Sequence, residues 1–238
     1  MSTHEVTLKG REEVAHGTIA FRFEKPAGFS YKPGQAVEIF IDPPGAGETL
    51  QHAFSLVSAP WEEDIVIATR MRDSAFKRAL AAAPIGARMK LDGPFGSLTL
   101  HNKRTRPAVL IAGGIGITPF MSMLRQAAKD RLPHQLLLLY SNRRPEDAPF
   151  LRELQELERQ NGHFRLVATM TQAHASQAAW GGERGRIDAA LLKKSTGALP
   201  DSIYYVVGPP AMVEGMRQTL KEADVDEDDI RTEEFYGY

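Results

Sequence analysis

The chain runs to 238 residues, 42% hydrophobic and 25% charged, with 29 basic against 30 acidic side chains and a net charge of −1. That apolar fraction excludes a disordered chain, the charge balance supplies no global field for nucleic acid or an acidic membrane, and the length makes two modest domains the default. The absence of cysteine excludes disulfides, thiol nucleophiles, thiolate zinc sites and Cys-held iron–sulfur clusters from these residues.

The first thirteen residues are polar and lack the apolar core of a secretory leader, and no apolar run approaches the ~20 residues that span a bilayer. A cytoplasmic protein with no membrane span is the expectation. Alternating apolar and polar residues predict strands at 6–8, 18–23, 37–41, 53–57, 64–69 and 87–91. Turn formers separate them at Lys25-Pro26, Lys32-Pro33-Gly34, Pro43-Pro44-Gly45 and Asp92-Gly93-Pro94. A helix over 75–83, capped by Ser74, interrupts the series and stops at Pro84 and Gly86. Short strands at this spacing indicate an antiparallel β-barrel or sandwich.

From about residue 106 the rhythm changes. Strands at 108–112, 135–140, 164–170 and 203–207 are largely apolar, and helices follow at 120–129, 148–160, 187–194 and 211–223. This pattern predicts an α/β domain with a parallel sheet covered on both faces. The polar link at 101–105 sets the boundary, giving domains 1–102 and 103–238. Between Glu222 and Glu234 lie eight acidic residues and one Arg, which read as a solvated loop rather than a docking face for a basic partner.

Three strand ends in the second half suit a ligand. Gly113-Gly114-Ile115-Gly116-Ile117-Thr118-Pro119 joins a buried strand to a helix. Its glycines let backbone N–H groups approach a pyrophosphate, with Thr118 placed to cap the helix and Pro119 in its first turn. It lacks the G-x-G-x-x-G spacing, and alone it also reads as an ordinary tight turn. Gly208-Pro209-Pro210 repeats the idea. Tyr140-Ser141-Asn142-Arg143-Arg144 offers a hydroxyl and two guanidiniums, which suit a 2′-phosphate on an adenosine ribose, though either Arg singly also reads as solvated. In the first half, His52-Ala53-Phe54-Ser55 and Thr69-Arg70-Met71-Arg72-Asp73-Ser74 put an aromatic, a hydroxyl and cations at strand ends. No nucleophile elbow and no metal-ligand spacing occurs.

Taken together the chain resembles the ferredoxin–NADP reductase superfamily, over nearly its whole length. The markers are Tyr31-Lys32-Pro33-Gly34-Gln35, His52-Ala53-Phe54-Ser55-Leu56-Val57-Ser58, Gly93-Pro94-Phe95-Gly96, the Gly113–Pro119 and Gly208–Met212 turns, and the terminal Glu233-Glu234-Phe235-Tyr236-Gly237-Tyr238. The resemblance implies a flavin-binding barrel followed by a pyridine-nucleotide domain. Phe54 would pack on the flavin ring and Ser55 would lie near its N5. His52 stands where the family has Arg, and Phe54 where it often has Tyr, leaving Arg70 or Arg72 to supply the charge. The backbone of Ser74, Ala75 and Phe76 would hold the flavin pyrophosphate.

By the same resemblance Gly113, Gly114 and Thr118 would line the nucleotide, with Gly208, Pro209 and Met212 beside them and Val207 where the family often has Cys. Tyr238, Tyr236 and Phe235 compete to cover the flavin, and Glu233 or Glu234 matches a family carboxylate; Ser55, Glu234 and Tyr238 are the candidate catalytic groups. The implied activity is that of an FAD-dependent NAD(P)H oxidoreductase: hydride passes to flavin N5 and electrons leave to an external ferredoxin, flavodoxin, other redox protein or small molecule. FAD is preferred to FMN, and Ser141, Arg143 and Arg144 tilt the choice towards NADPH. The alternatives are a non-catalytic flavin- or dinucleotide-binding regulatory module of the same fold and a flavin-free dehydrogenase.

Overall fold

Alternating burial along the first hundred residues builds a single antiparallel sheet. The computed structural model describes residues 2–42 and 47–236, so the Pro43-Pro44-Gly45 turn and Tyr238 lie outside the described residues. Strands β1 (Ser2–Ala15), β2 (Thr18–Glu24), β3 (Ala36–Ile41), β4 (Leu50–Ser55), β5 (Asp64–Arg70) and β6 (Arg88–Phe95) pair in the order β4-β3-β6-β1-β2-β5. Just beyond β4, a Leu56–Ile67 bridge and the Val57 N–H donating to the Val66 carbonyl at 2.8 Å join the two outer strands, closing the sheet into a barrel. Phe21, Phe23, Ile39, Leu56, Ile65, Ile67 and Leu91 fill its interior. Helix α1 (Ala75–Ala82) adds Phe76 and Leu80 to this core.

Two strands outrun their sequence signal. β1 continues well past Val6–Leu8, because its charged residues sit on the solvent side while its backbone pairs with both β2 and β6. β6 continues through Asp92-Gly93-Pro94, which the sequence reads as a turn; the register on β3 slips between Ala36 and Glu38, and Gly93, at φ 139°, occupies that irregularity. β4 starts at Leu50 rather than at Ala53.

The second sheet is parallel throughout. It contains β7 (Ala108–Gly113), β8 (Leu136–Asn142), β9 (Phe164–Met170), β10 (Glu183–Arg184), β11 (Ile203–Gly208) and β12 (Ile230–Glu234), in the order β10-β9-β8-β7-β11-β12. Helices α2 (Thr118–Asp130), α3 (Leu151–Gln160), α4 (Ala189–Thr196) and α5 (Pro210–Glu222) connect the strands. Every residue of β7 and β11 is buried, as a sheet covered on both faces requires. The chain winds outward from β7 to β10 on one side, then returns to β11 and β12 on the other, so the winding reverses between β7 and β11. Open α/β sheets bind ligands at the carboxyl ends of strands flanking such a reversal.

The chain divides into two compact units: residues 1–99 with Thr118–Gln126, and Leu100–Ile117 with everything from Ala127 on. The sequence misses β10, which has two residues, and β12. The acidic segment is exposed as far as Asp228, as a solvated loop would be, but it does not stay one: Glu227 is paired with Arg217 and Lys221, Asp229 accepts both guanidinium arms of Arg106 at 2.9 and 2.6 Å, and the chain then enters the sheet as β12. Helix α3 begins at Leu151 rather than 148, after a 3-10 turn at Pro145–Asp147 and a left-handed Phe150.

Candidate functional site

In the first unit the candidate residues gather where β5 runs into α1. Ser74 caps α1, its hydroxyl accepting from the Lys77 N–H at 3.2 Å, and the first turn of the helix carries no acidic side chain. The backbone N–H groups there are the positive end of a helix dipole. Arg70 and Arg72 lead into the turn, and Thr69 is fully buried beside them. Lys77, which the sequence reading missed, is buried at 3% exposure and donates from Nζ to the Arg70 carbonyl at 3.0 Å. Burial, and after it the charge of Arg72, push its pKa down. An ammonium disfavoured in this way gains from any anion that arrives.

His52, Phe54 and Phe76 form one aromatic group. His52 stacks on Phe54 with centroids 4.6 Å apart and ring planes 20° apart, and Phe76 lies 5.6 Å from each. Phe54 and Ser55 are buried, His52 is half-buried above them, and Ala53 points to the opposite, exposed side of β4. The donor set — a helix N-terminus, three cations and an adjoining aromatic group — fits an aromatic cofactor carrying phosphate.

In the second unit the carboxyl ends of β7, β8 and β11 hold the remaining candidates, except Thr118, which belongs to the first unit. A Cβ on Gly113 would collide with the Met212 sulfur, and one on Gly116 would collide with the Val207 carbonyl, so both glycines are required by close packing of the turn on α5 and β11. Gly114 differs: it adopts φ 55° and has nothing within 4 Å of its Cβ direction, leaving that side of the turn open. Thr118 does not cap α2. A 3-10 turn at Gly114–Ile117 runs directly into the helix, Ile117 occupies the cap position with no side-chain bond, and Thr118 is the buried first helical residue.

Ser141 lies opposite Gly113 in the sheet, and Asn142 ends β8. The Asn142 side chain is 6% exposed, and neither its amide nitrogen nor its oxygen has a hydrogen-bond partner. A buried amide with donor and acceptor both unmet is the kind of group a bound ligand satisfies. Arg144 is engaged by Asp147, bidentate at 2.8 and 3.0 Å, while Arg143 is half exposed with Asp147 at 3.7 Å. Beside β11, Glu233 and Glu234 lie opposite Val207 and Gly208, and the Phe235 N–H donates to the Gly208 carbonyl at 2.9 Å. Glu233 carries a buried carboxylate oxygen without a partner, and burial pushes its pKa up. Glu234 is exposed and accepts from the Tyr236 hydroxyl. Among the described residues no cluster of metal-ligating side chains occurs.

Residues 110–218 match the family of oxidoreductase NAD-binding domains. The chain is 27% identical over 224 residues to the glycine betaine monooxygenase reductase subunit of Chromohalobacter salexigens, covering 92% of this chain and 60% of that protein. Two propane 2-monooxygenase reductase components are likewise covered over 61% and 57% of their lengths, so the chain spans about 60% of these relatives. A ferredoxin–NADP reductase from Sorangium cellulosum is 30% identical over 209 residues, covering 84% of this chain and 83% of that protein. Among solved structures, a Neisseria gonorrhoeae ferredoxin–NADP reductase with bound FAD and NADP shares the fold at a TM-score of 0.81 and 24% identity, covering 98% of each chain. A flavohaemoglobin from Malassezia yamatoensis shares it at 0.85 and 24% identity, covering 99% of this chain and 60% of the other. With the two sheets, the two ligand-competent strand-end clusters and this relationship all in place, the chain belongs to the ferredoxin–NADP reductase superfamily.

Proposed function

We propose that the protein is an FAD-dependent NAD(P)H oxidoreductase that delivers electrons to an acceptor outside the described residues. The observation that carries the reading is the pair of strand-end clusters: an anion-ready α1 terminus beside His52, Phe54 and Phe76, and an open Gly114 turn where the parallel sheet reverses. FAD, when bound, supplies the redox chemistry, accepting hydride from reduced nicotinamide and releasing electrons onward.

The protein's own residues bind and orient. On this reading residues 1–102 form the FAD domain. The N–H groups of Ala75 and Phe76 and the Lys77 ammonium hold the pyrophosphate, with Arg70 and Arg72 supplying charge where His52 does not. The His52–Phe54–Phe76 group flanks the ring, and the Ser55 hydroxyl hydrogen-bonds near the reacting edge. Residues 103–238 form the nucleotide domain: Gly114 leaves room for the diphosphate, and Asn142 offers both halves of its amide. Glu233, kept protonated to higher pH by burial, is better suited than exposed Glu234 to hold a proton near the site. Phe235, fixed to Gly208, is the terminal aromatic with a defined position; Tyr236 is 69% exposed.

The acceptor is proposed to be a redox protein, an iron–sulfur protein or an oxygenase component among them, since several relatives are named as reductase components of oxygenases. No helix of the described residues is long and apolar enough to cross a membrane, and a cytoplasmic setting belongs to the same proposal. The test is to saturate the purified protein with FAD, identify the flavin released on heating by chromatography, and assay NAD(P)H-dependent reduction of an artificial acceptor. One FAD per chain with turnover is expected. Flavin bound without turnover supports the regulatory module instead, and turnover of a substrate without flavin supports the flavin-free dehydrogenase.

A further inference from the structure

We infer that His101 and His134 form an acid-sensitive latch on the segment 100–107, holding it to the second unit while both rings are neutral and releasing its first half when they are protonated. The chain crosses between the two units three times, after Thr99, Ile117 and Gln126, and this segment directly follows the first crossing. It forms neither helix nor strand, so its position depends on individual bonds. Two sets of bonds hold it, one at each end.

The first set is at His101. Its backbone N–H donates to the Tyr205 hydroxyl at 2.9 Å, and its carbonyl lies 3.0 Å from His134 Nε2. A carbonyl only accepts, so this bond assigns the His134 proton to Nε2 and its lone pair to Nδ1. The two imidazoles lie 5.0 Å apart at 57°, and the His101 ring stacks along Tyr205 at 6.3 Å and 28°. Both side chains are buried, and His134 Nδ1 and the two His101 ring nitrogens meet no hydrogen-bond partner among the described residues. The second set is at Arg106, which donates from Nε to the Asp201 carbonyl at 2.8 Å and grips Asp229 through both arms. The Arg106 guanidinium keeps the Asp229 carboxyl below its usual range, so this end survives mild acid.

The histidine end has no place for added protons. A proton on His134 Nδ1 becomes a buried N–H without an acceptor, and one on His101 sets a second positive charge with its ring centre 5.0 Å from the first. Burial is the largest influence on both rings and pushes them below the usual histidine value. The Pro107 carbonyl favours a charged His101, but it already accepts from the Ile203 N–H at 2.9 Å. Against it stand the charges of His134, Arg231 and Arg106 on His101, and of Arg104 on His134. Asp201 and Asp229 are engaged by Arg106, and Glu233, two residues along β12 from Arg231, is itself disfavoured as an anion by burial. Rings that have left the site take up protons at the ordinary value, so the latch weakens as pH falls through about 6.5 towards the lower value of the closed state. Opening then frees 101–105, with its exposed Lys103 and Arg104, while Arg106 stays anchored.

The test is site-resolved hydrogen exchange on the full chain with FAD added, at about pH 7.5 and about pH 5.5, with rates corrected for the intrinsic pH dependence of exchange. The His101 amide, bound to Tyr205, is expected to exchange about tenfold faster at the lower pH, while the Ala108 amide, bound to the Gln135 carbonyl, keeps its protection. His134→Gln, whose amide still donates to the His101 carbonyl but takes up no proton, should hold the rise at His101 below about threefold. His101→Phe keeps a ring against Tyr205 and removes the second charge; it should blunt the rise at residue 101 in the same way, and it decides the matter where His134→Gln does not fold. Equal protection of the His101 amide at both pH values, a folded variant with the parent's full rise, or a rise shared by β7 and β11 overturns the inference. The measurement is read without turnover, so its outcome stands apart from the oxidoreductase reading.

Discussion

At the scale of single residues, the glycines separate what packing demands from what a ligand would use. Gly116→Ala drives a Cβ into the Val207 backbone carbonyl, which cannot move aside without displacing β11. We expect a loss of about 1–3 kcal/mol in chemical denaturation. Gly114→Ala meets no neighbour and carries only the strain of φ 55°, about 1 kcal/mol, so its larger effect should be on nucleotide KM. Glu233 gives a second residue-level expectation. Its carboxyl is pushed up in the folded protein, so the folded state holds a proton that the unfolded chain releases from about pH 4.5 upward. Stability from this group therefore falls as pH rises through that window, and Glu233→Gln should stabilise the protein by about 1 kcal/mol at neutral pH but not at about pH 4 in urea melts. The sequence offered Glu233 and Glu234 as equivalents. Their difference follows from alternation along a strand, β12, that a run of acidic residues conceals.

Among the elements, α1 and β12 show how far pattern reading reaches. The α1 boundaries and its Ser74 cap were legible because capping chemistry is local. Ser74→Ala should cost about 1 kcal/mol of stability and, if the terminus holds phosphate, should also weaken FAD retention in dilution experiments. Lys77 was not legible: its burial comes from the folded surroundings of α1 and its bond to the Arg70 carbonyl at the end of β5, and nothing in Ala-Phe-Lys-Arg marks it. β12 was missed because its register comes from a partner far away in sequence. Arg106, just before β7, binds Asp229, just before β12, through two bonds, with the two side chains 13% and 26% exposed. Arg106→Ala should therefore raise amide exchange in 230–234 several-fold while leaving β7 protected, a local rather than global opening. That β7, β8 and β11 belong to a parallel sheet was legible from their apolar runs, with β9 a weaker signal because Arg165 interrupts it; the position of the winding reversal was not, because it needs the strand order.

Over the whole molecule, acid sensitivity and the redox reading are the properties to measure. His101 and His134 are buried, with His134 Nε2 3.0 Å from the His101 carbonyl and the rings 5.0 Å apart. Burial pushes both imidazoles below the usual histidine value. The unfolded chain therefore takes up protons near pH 6.5 that the folded chain refuses, and stability is lost as pH falls through about 6.5 towards the lower folded value. Glu233 acts in the opposite sense over part of this range, so the comparison must be with a variant: His134→Gln should lose less stability between about pH 7 and about pH 5.5 than the parent. The family motifs told the overall kind of protein from sequence, because they are backbone-shaping Gly, Pro and Ser residues at strand ends. They could not tell that Arg144 is spoken for by Asp147, because that pairing needs the folded turn after β8. The central claim, that this fold moves electrons from a reduced pyridine nucleotide to a bound flavin, is tested most directly by anaerobic rapid mixing of the FAD-loaded protein with NADH and with NADPH, following the flavin's visible absorbance. The account requires bleaching within the turnover time by at least one of the two nucleotides; a protein that stays colourless with added FAD, or a bound flavin that neither nucleotide bleaches, would contradict it.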